Sequence, residues 1–509
     1  MAMESCRQNH QQLAQQCYDV QGCSLAELRV LARQELTQAA WRYSSSYRDV
    51  PEPPVGDPLL WVAGHQPQMF HPGVWFKNFV LGAWARETAG VAINLVIDND
   101  RLKHPTLRVP TGTVASPSSE NLAYDDMSAA LPFEERRVMN EELFQSFGER
   151  VQRSVASLLP EPLISQYWPL VLEERRRSPL IGQCLAAARH RLEGTWGLDN
   201  YELPASQMCA SQSFRWFLSH LLAHLPRFQS LYNECLFEYR RRHHLRSTSH
   251  PVPQLERQGE WLEAPFWIWQ REFPERRRLF VRAADSQLEL SDRGSFQRWL
   301  PVDPSGTSAK AVEALADWER AGIKIRTRAL TTTLFARLVL SDLFLHGIGG
   351  GKYDELTDDL IRRFFGFEPP GLAVATATLR LPVDRPHGSE QRVHELDHFL
   401  RESQYHPERF LTAADRTDEV QKWIDYKARW IETLPTRENA KQRCHAIRDA
   451  NRALQSPVEA QRARWVEERA VRQEQVRMER ILAWREYAFC LFPAAFLRDF
   501  LLEFHSAPR

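Results

Sequence analysis

The sequence predicts an α/β protein whose core is an open parallel sheet, and two stretches carry that expectation. In residues 61–110, the apolar run Trp61-Val62-Ala63 stops at Gly64, a polar loop holds His65, Gln66 and His71, and Pro72-Gly73 hands over to an amphipathic segment at 74–88. Residues 91–97 form a second apolar run, rich in β-branched residues, and end on Asp98 and Asp100. This reads as strand, loop, helix and strand with a right-handed crossover. The other stretch is the glycine turn His346-Gly347-Ile348-Gly349-Gly350-Gly351-Lys352, after which 355–365 reads as a helix. Ligands of open parallel sheets sit outside the carboxyl ends of the strands. Both polar clusters fall at such ends, so a small-molecule site is expected there.

Composition sets the limits. A chain of 509 residues with 43% apolar content can bury a large core. Lys+Arg and Asp+Glu are both 65, so no global charge attracts nucleic acid or an anionic membrane, and neither is expected as a partner. The basic runs at 173–177, 238–246 and 275–278 have acids beside them and read as solvated surface. Residues 1–19 are polar, without the apolar centre of a signal peptide, and no apolar run is long enough to span a bilayer, which leads us to expect a cytoplasmic protein. Eight scattered cysteines without a C-x-x-C pair argue against a zinc site or a disulfide framework, and no resident metal is expected. Lysine is scarce, and four of the eight (Lys77, Lys103, Lys324 and Lys352) lie within 61–110 or 323–360.

In chain order, Ser24-Leu25-Ala26-Glu27 has capping-box spacing and starts a helix that runs to Tyr43. Pro51, Pro53, Pro54 and Pro58 make 44–58 a loop into the first strand. Residues 101–119 read as a charged, turn-rich loop placed to line a site. From 133 to 225 the pattern is helical, with Trp168, Trp196 and Trp216 as apolar anchors. The runs 264–269 and 278–282 suggest an antiparallel hairpin, with 288–290 as a further strand. A helix at 312–320, a strand at 323–326 alternating apolar and basic, and a mainly helical segment at 331–344 follow. Residues 417–490 are long, charged and helical; Ser456-Pro457-Val458-Glu459 reads as a helix start with Ser as N-cap. Shifting apolar stripes there suggest antiparallel helices or a projecting coiled-coil arm. Residues 491–504 are apolar enough to return to the core. The expected division is thus 1–132 (first half of the core with an N-terminal helix), 133–246 (helical insertion), 247–415 (β-hairpin insertion and the rest of the core) and 416–509 (helical arm).

The glycine turn has the parts of an anion cradle: glycines that let backbone N–H groups converge, a helix N-terminus, and Lys352. It is not a Walker A loop, because no Ser or Thr follows Lys352. A tight strand-to-helix turn without a ligand fits the same glycines.

Three collinear segments resemble the bacillithiol-biosynthesis cysteine-adding enzymes, a family of cysteine ligases. Ala63-Gly64-His65-Gln66 with His71-Pro72-Gly73 resembles that family's T-G-Q-Q loop and downstream turn; Ile97-Asp98-Asn99-Asp100 with His104 resembles its E-D-H-D segment; and Arg326-Thr327-Arg328 through His346-Gly347-Ile348-Gly349-Gly350 resembles its arginine stretch leading to a G-G-P-G loop. His65 stands in place of a Gln, Asn99 in place of a His, and Gly350-Gly351-Lys352 departs from G-P-G-E. The first loop alone also resembles bacterial His-Gln-Pro proteins of the sugar-locus type. The longer match implies a Rossmann-like core related to nucleotidyltransferases, a helical arm able to mediate homodimers, and ligase-type condensation of cysteine or another amine with a sugar-linked or other small acid.

On that reading His65, Gln66 and His71 polarise a carboxyl or phosphate, since histidine near neutrality donates or accepts a proton. Asp98 and Asp100, one residue apart, point the same way if strand geometry persists, and hold the amine. Lys77, His104, His346, Gly347, Gly349, Gly350 and Lys352 bind the anionic substrate or a nucleotide, while Arg326 and Arg328 clamp the acid bidentately. Replacing His65 by Ala is expected to leave folding intact. Two alternatives stay open: a metal-dependent hydrolase or transferase with His65, His71, Asp98, Asp100 and His104 as ligands, and a scaffold that keeps the fold without catalysis.

Overall fold

A computed structural model describes residues 2–127, 130–284, 287–302 and 306–506. The first helix, α1 (Ala2–Ala14), precedes α2 (Leu25–Ser45), whose start is set by the expected capping box: the Ser24 hydroxyl accepts the Glu27 N–H at 3.2 Å, and the Glu27 carboxylate accepts the Ser24 N–H at 2.8 Å. Then come β1 (Leu60–His65), α3 (Pro72–Glu87) and β2 (Val91–Val96), where the hydropathy pattern puts them. The stretch read as a turn-rich loop is instead a hairpin of β3 (Thr106–Thr113) and β4 (Ser116–Ala123). Gly112, at φ +80°, turns it; a Cβ there would meet the Ser116 carbonyl oxygen at 2.3 Å.

The helical insertion forms α4 (Glu141–Val155), α5 (Ile164–Arg177) and α6 (Ile181–Thr195), but it is not helical throughout. Tyr201–Pro204 is a strand, β5, followed by the short α7 (Ala205–Cys209), α8 (Gln212–Ala223) and α9 (Leu225–Arg242). Four residues ending in proline carry no periodicity that separates strand from loop. Next are β6 (Arg257–Gln258), β7 (Trp261–Gln270), β8 (Phe273–Ala284), β9 (Gln287–Ser291), β10 (Gln297–Leu300), α10 (Ala309–Arg320) and β11 (Ile323–Thr327). The segment read as helical to residue 344 divides: α11 (Ala329–Phe335) and one π-helical turn end at Leu340, and Leu343–His346 is a strand, β12. The helix α12 (Ile348–Leu360) and β13 (Leu372–Val374) follow, then α13 (Glu390–Tyr405), α14 (Asp418–Glu432), α15 (Ala440–Ala453), α16 (Gln455–Leu482) and α17 (Ala494–Ser506). α16 begins at Gln455 with Leu454 as its cap, so Ser456 and Pro457 lie inside the first turn, where the missing proline N–H costs nothing.

Five strands form a parallel sheet in the order β13-β12-β1-β2-β5. Both its faces are covered, so β1 and β2 read as continuous apolar runs. Trp61, Ala63, Ala92, Leu343 and Leu345 pack on Val80, Leu81 and Trp84 of α3 and Cys6 of α1. Leu60, Val62, Val91, Ile93, Leu95 and Phe344 face the larger core with α2, α8 and α9. A second sheet, order β10-β9-β8-β7-β11 with β6 beside β7, is antiparallel. Its inner face, with Ala264, Phe266, Ile268, Leu279, Val281 and Ile325, joins the same core; Trp267, Trp269, Arg276, Arg278, Lys324 and Arg326 alternate onto the other.

The chain divides into two compact units, one of Met1–Val109, Asn121–Leu379 and Arg485–Arg509, the other of Pro110–Glu120 and Arg380–Trp484. In the second, α13 runs antiparallel to α16, with Arg392 on Glu468 at 2.9 Å and Arg469 on Asp397 at 2.7 Å. α14 and α15 form a helical hairpin closed by Arg443 Nε on the Trp430 carbonyl at 2.8 Å. No helix among the described residues is long and apolar enough to cross a membrane.

Behind β2 and β5 lies a buried ion network. Arg189 of α6, 1% exposed, donates to Glu193 at 2.6 Å and to Glu202 of β5. Glu193 also accepts from Trp75 Nε1 at 2.6 Å and Asn78 Nδ2 at 2.8 Å, and Glu202 from Asn94 Nδ2 at 3.0 Å. Removing the cation leaves two carboxylates buried and unpaired, so Arg189→Met is expected to cost about 3–5 kcal/mol, read as a lower urea midpoint.

Candidate functional site at the carboxyl mouth of the parallel sheet

Strand order locates the crevice. From β1 the sheet grows through β2 and β5 on one side and through β12 and β13 on the other, so connections leave the β1/β12 boundary in opposite directions. That boundary is a topological switch point, where departing loops leave a cleft at the carboxyl ends. Ala63 is level with Leu345, which brings His65 level with Gly347 and joins two segments 282 residues apart in the chain at one mouth.

A cation fills the notch between the two strands. The His65 carbonyl accepts the Ile97 N–H at 3.0 Å on the β2 side, so the Gly64 carbonyl points toward β12. The ladder to β12 stops at Leu345, and the Gly64 oxygen accepts from Lys77 Nζ of α3 instead, at 3.0 Å. Lys77 is 7% exposed, and no carboxylate pairs with it among the described residues; burial draws its pKa down to about 8.

Across the notch, Gly347 caps α12 without a side-chain bond, so the glycines that read as a loop are the first turn of a helix. Their small size serves packing. A Cβ on Gly350 would sit 2.6 Å from His346 Nδ1, and one on Gly351 2.6 Å from Val374 Cγ2, whereas Gly347 and Gly349 have open space. His346 is buried, its Nε2 3.0 Å from Asp354 Oδ2, which also accepts from Arg337 at 2.7 Å. Burial alone would raise the Asp354 pKa, but His346 and Arg337 hold it at about 2, so the carboxylate is charged and orients the ring. Lys352 is exposed on the helix surface.

His65 is interior. Its Nε2 lies 3.2 Å from Asn78 Oδ1 and its Nδ1 3.1 Å from the Gln66 carbonyl; burial, with repulsion from Arg189 and Lys77, holds its pKa well below the ordinary value. The ring positions the loop, and His65→Ala would remove a packed group. His71 caps α3, accepting the Gly73 N–H at 3.1 Å, with its other nitrogen 4.0 Å from Glu486. Gly73 is obligatory, since a Cβ would lie 2.2 Å from the Ala377 carbonyl oxygen.

The two aspartates do not share a side, because β2 ends at Val96 and the chain turns through 98–99. Asp98 is buried and accepts from the Ser206 N–H at 2.8 Å and the Ser206 hydroxyl. Burial, and then the nearby Glu134 charge, raise its pKa to about 7. Asp100, 39% exposed, accepts from Gln66 Nε2 at 3.3 Å and Arg276 at 3.1 Å. Arg326 is no substrate clamp in this structure: its guanidinium is held by Glu134 at 2.9 Å and Glu319 at 2.8 Å. Arg328 donates to Glu263 at 2.7 Å and stacks on Trp267, which also carries Arg276. Arg276 and Trp267 escape sequence reasoning because a cationic strand beside an aromatic one looks like ordinary alternation. His104 stands exposed ahead of β3. Among the described residues no three His, Cys, Asp or Glu side chains gather to hold a metal, so the ligand set imagined for a metal enzyme does not assemble.

A cavity of about 610 Å³ opens at the amino end of the sheet, lined by Arg33, Trp41, Asp57 and Leu60 among others. Its guanidinium is already shared between Asp57 at 2.7 Å and Asp342 at 2.8 Å, so the unpaired chemistry lies at the carboxyl mouth. No family model and no curated protein matches this chain.

Asp98 gives a pH dependence whose sign follows from its raised pKa. The folded chain keeps a proton that the unfolded chain releases above 3.8, so this stabilisation is complete below that pH and disappears as pH rises through 7. Asp98→Asn, which can still accept the Ser206 N–H, is expected to flatten the fall in Tm over that interval, as measured by thermal melts of both proteins across the range.

Proposed function

We propose that this chain is a ligase-type enzyme joining an amine to a small acid, built on a Rossmann-like core and related at a distance to the cysteine-adding enzymes of bacillithiol synthesis. The observation that carries the reading is Lys77, a buried ammonium with a carbonyl for a partner and, among the described residues, no carboxylate, at the switch point of a parallel sheet. Such a group opposes folding, and groups of this kind persist where a ligand completes them. An anion between Lys77 Nζ and the uncapped first turn of α12 would do so, whether a substrate carboxylate or the phosphate of a nucleotide. Beside it, Asp100 and Gln66 offer acceptors for an incoming ammonium, and His346, oriented by charged Asp354, offers Nδ1 to a proton. Sites of action in the cytoplasm, and pairing of two copies through a coiled-coil arm within 380–484, belong to the same proposal.

Incubation of the full chain with cysteine, a sugar-linked acid and ATP, followed by mass spectrometry for an amide, tests the activity; no amide and no thermal stabilisation by any of the three would sink it. Lys77→Met separates function from packing. Because burial lowers the lysine pKa from 10.5 to about 8, the ammonium opposes folding at neutral pH, an effect that fades as pH rises above 8. The variant is expected to melt at or above the parent Tm at pH 7 while losing stabilisation by inorganic phosphate or ATP. A fall in Tm with ligand response intact would assign Lys77 to packing.

A further inference from the structure

We infer that Arg276, Arg328 and Trp267 form a binding clamp for a small carboxylate at the edge of the mouth. The inference shares Arg328 and Asp100 with the ligase reading but names a ligand class, not a reaction, and its test reads binding alone, so either can fail without the other. Trp267 on β7 lies under two guanidiniums, with the Arg328 carbon 4.2 Å and the Arg276 carbon 4.6 Å from the ring centroid. Both side chains are 11% exposed. Arg276 is aimed by its Nη1 bonds to the Asn99 carbonyl at 2.9 Å and Asp100 at 3.1 Å, which ties the clamp to the loop after β2.

Neither guanidinium is satisfied. Arg328 uses Nη1 on Glu263, and its Nε and Nη2 are buried without a partner; Arg276 Nε is likewise buried and unpartnered. Nε and Nη2 together form the side edge of an arginine, the fork that receives both oxygens of a carboxylate. The interior balance points the same way. Glu263, 1% exposed, is shared with Arg278 at 3.4 Å and the Glu256 N–H at 3.0 Å, and Asp100 is partly in water, so two desolvated cations face one fully buried anion. Burial outweighs these carboxylates and lowers both arginine pKa values. A guanidinium stacked at 4.2 Å leaves its own plane free, which suits a planar carboxylate better than tetrahedral phosphate.

Malonate is the probe, since two guanidiniums flank one ring. Calorimetric titration of the full chain at constant ionic strength is expected to give saturable malonate binding. Arg328→Lys, which keeps the charge and removes the fork, and Arg276→Gln are each expected to weaken it by about tenfold or more. In Lys77→Met the malonate affinity is expected to hold within about twofold, while the phosphate response is lost. Absence of malonate binding to the parent chain overturns the clamp. So does unchanged binding in both arginine variants, or malonate binding lost only with Lys77. If Arg328→Lys fails to fold by far-UV circular dichroism, Arg276→Gln, which lies in an edge of the cluster open to the loop, decides alone.

Discussion

The parallel sheet depends on Arg189. One guanidinium ties α6 to β5 through Glu202 and, through Glu193, reaches Trp75 and Asn78 of α3, and Asn78 in turn meets His65 at the end of β1. One cation lies between two buried carboxylates, and burial raises the Glu202 pKa above its ordinary value while Arg189 opposes that rise. Networks of this kind are weak evidence for stability, but breaking them is severe, and they admit few alternative packings. In this chain the network joins helix, edge strand and loop next to the mouth.

The two ends of the sheet are finished differently. At the amino end Asp342, ahead of β12, accepts from the Leu60 N–H at 2.7 Å, from Arg33 at 2.8 Å and from Arg29 at 2.9 Å, with His10 at 3.1 Å. Burial would raise its pKa, but these partners lower it, and the starts of β1 and β12 are clamped by a charge with every need met. At the carboxyl end, among the described residues, Lys77 lacks a counter-ion and Arg328 lacks partners for two donors. These unmet donors are what the proposed anion would satisfy.

The antiparallel sheet supplies the other wall. Its inner alternation belongs to the shared core, while its outer face sorts cations by how fully they are paired. Arg326 and Lys324 are consumed by Glu134, Glu135 and Glu319, with contacts between 2.5 and 3.1 Å, and work as struts. Arg276 and Arg328, on the same face, are incompletely paired. Residue type does not distinguish these two pairs; the number of acceptors each one meets does.

The sequence by itself determined the local pieces: the capping box at Ser24, the strand-loop-helix-strand unit from Leu60 to Val96, the hairpin of β7 and β8, and the presence of polar groups at strand ends. Each rests on contacts within a few residues, which periodicity and capping chemistry report directly. Tertiary structure alone decided the rest. Leu343–His346 and Tyr201–Pro204 are strands because they pair with β1 and β2 across long stretches of chain, not because four residues prefer extension. The glycine stretch at 347–351 is a helical turn in which a Cβ on Gly350 or Gly351 would run into His346 or Val374. Asp98 and Asp100 diverged because β2 ends at Val96, two residues before Asp98, and Arg326 and Arg328 differ in role because only one of them meets two carboxylates. Where pairing across the chain supplies the free energy, the residues that will be partners are not neighbours in the sequence, and their number cannot be counted there.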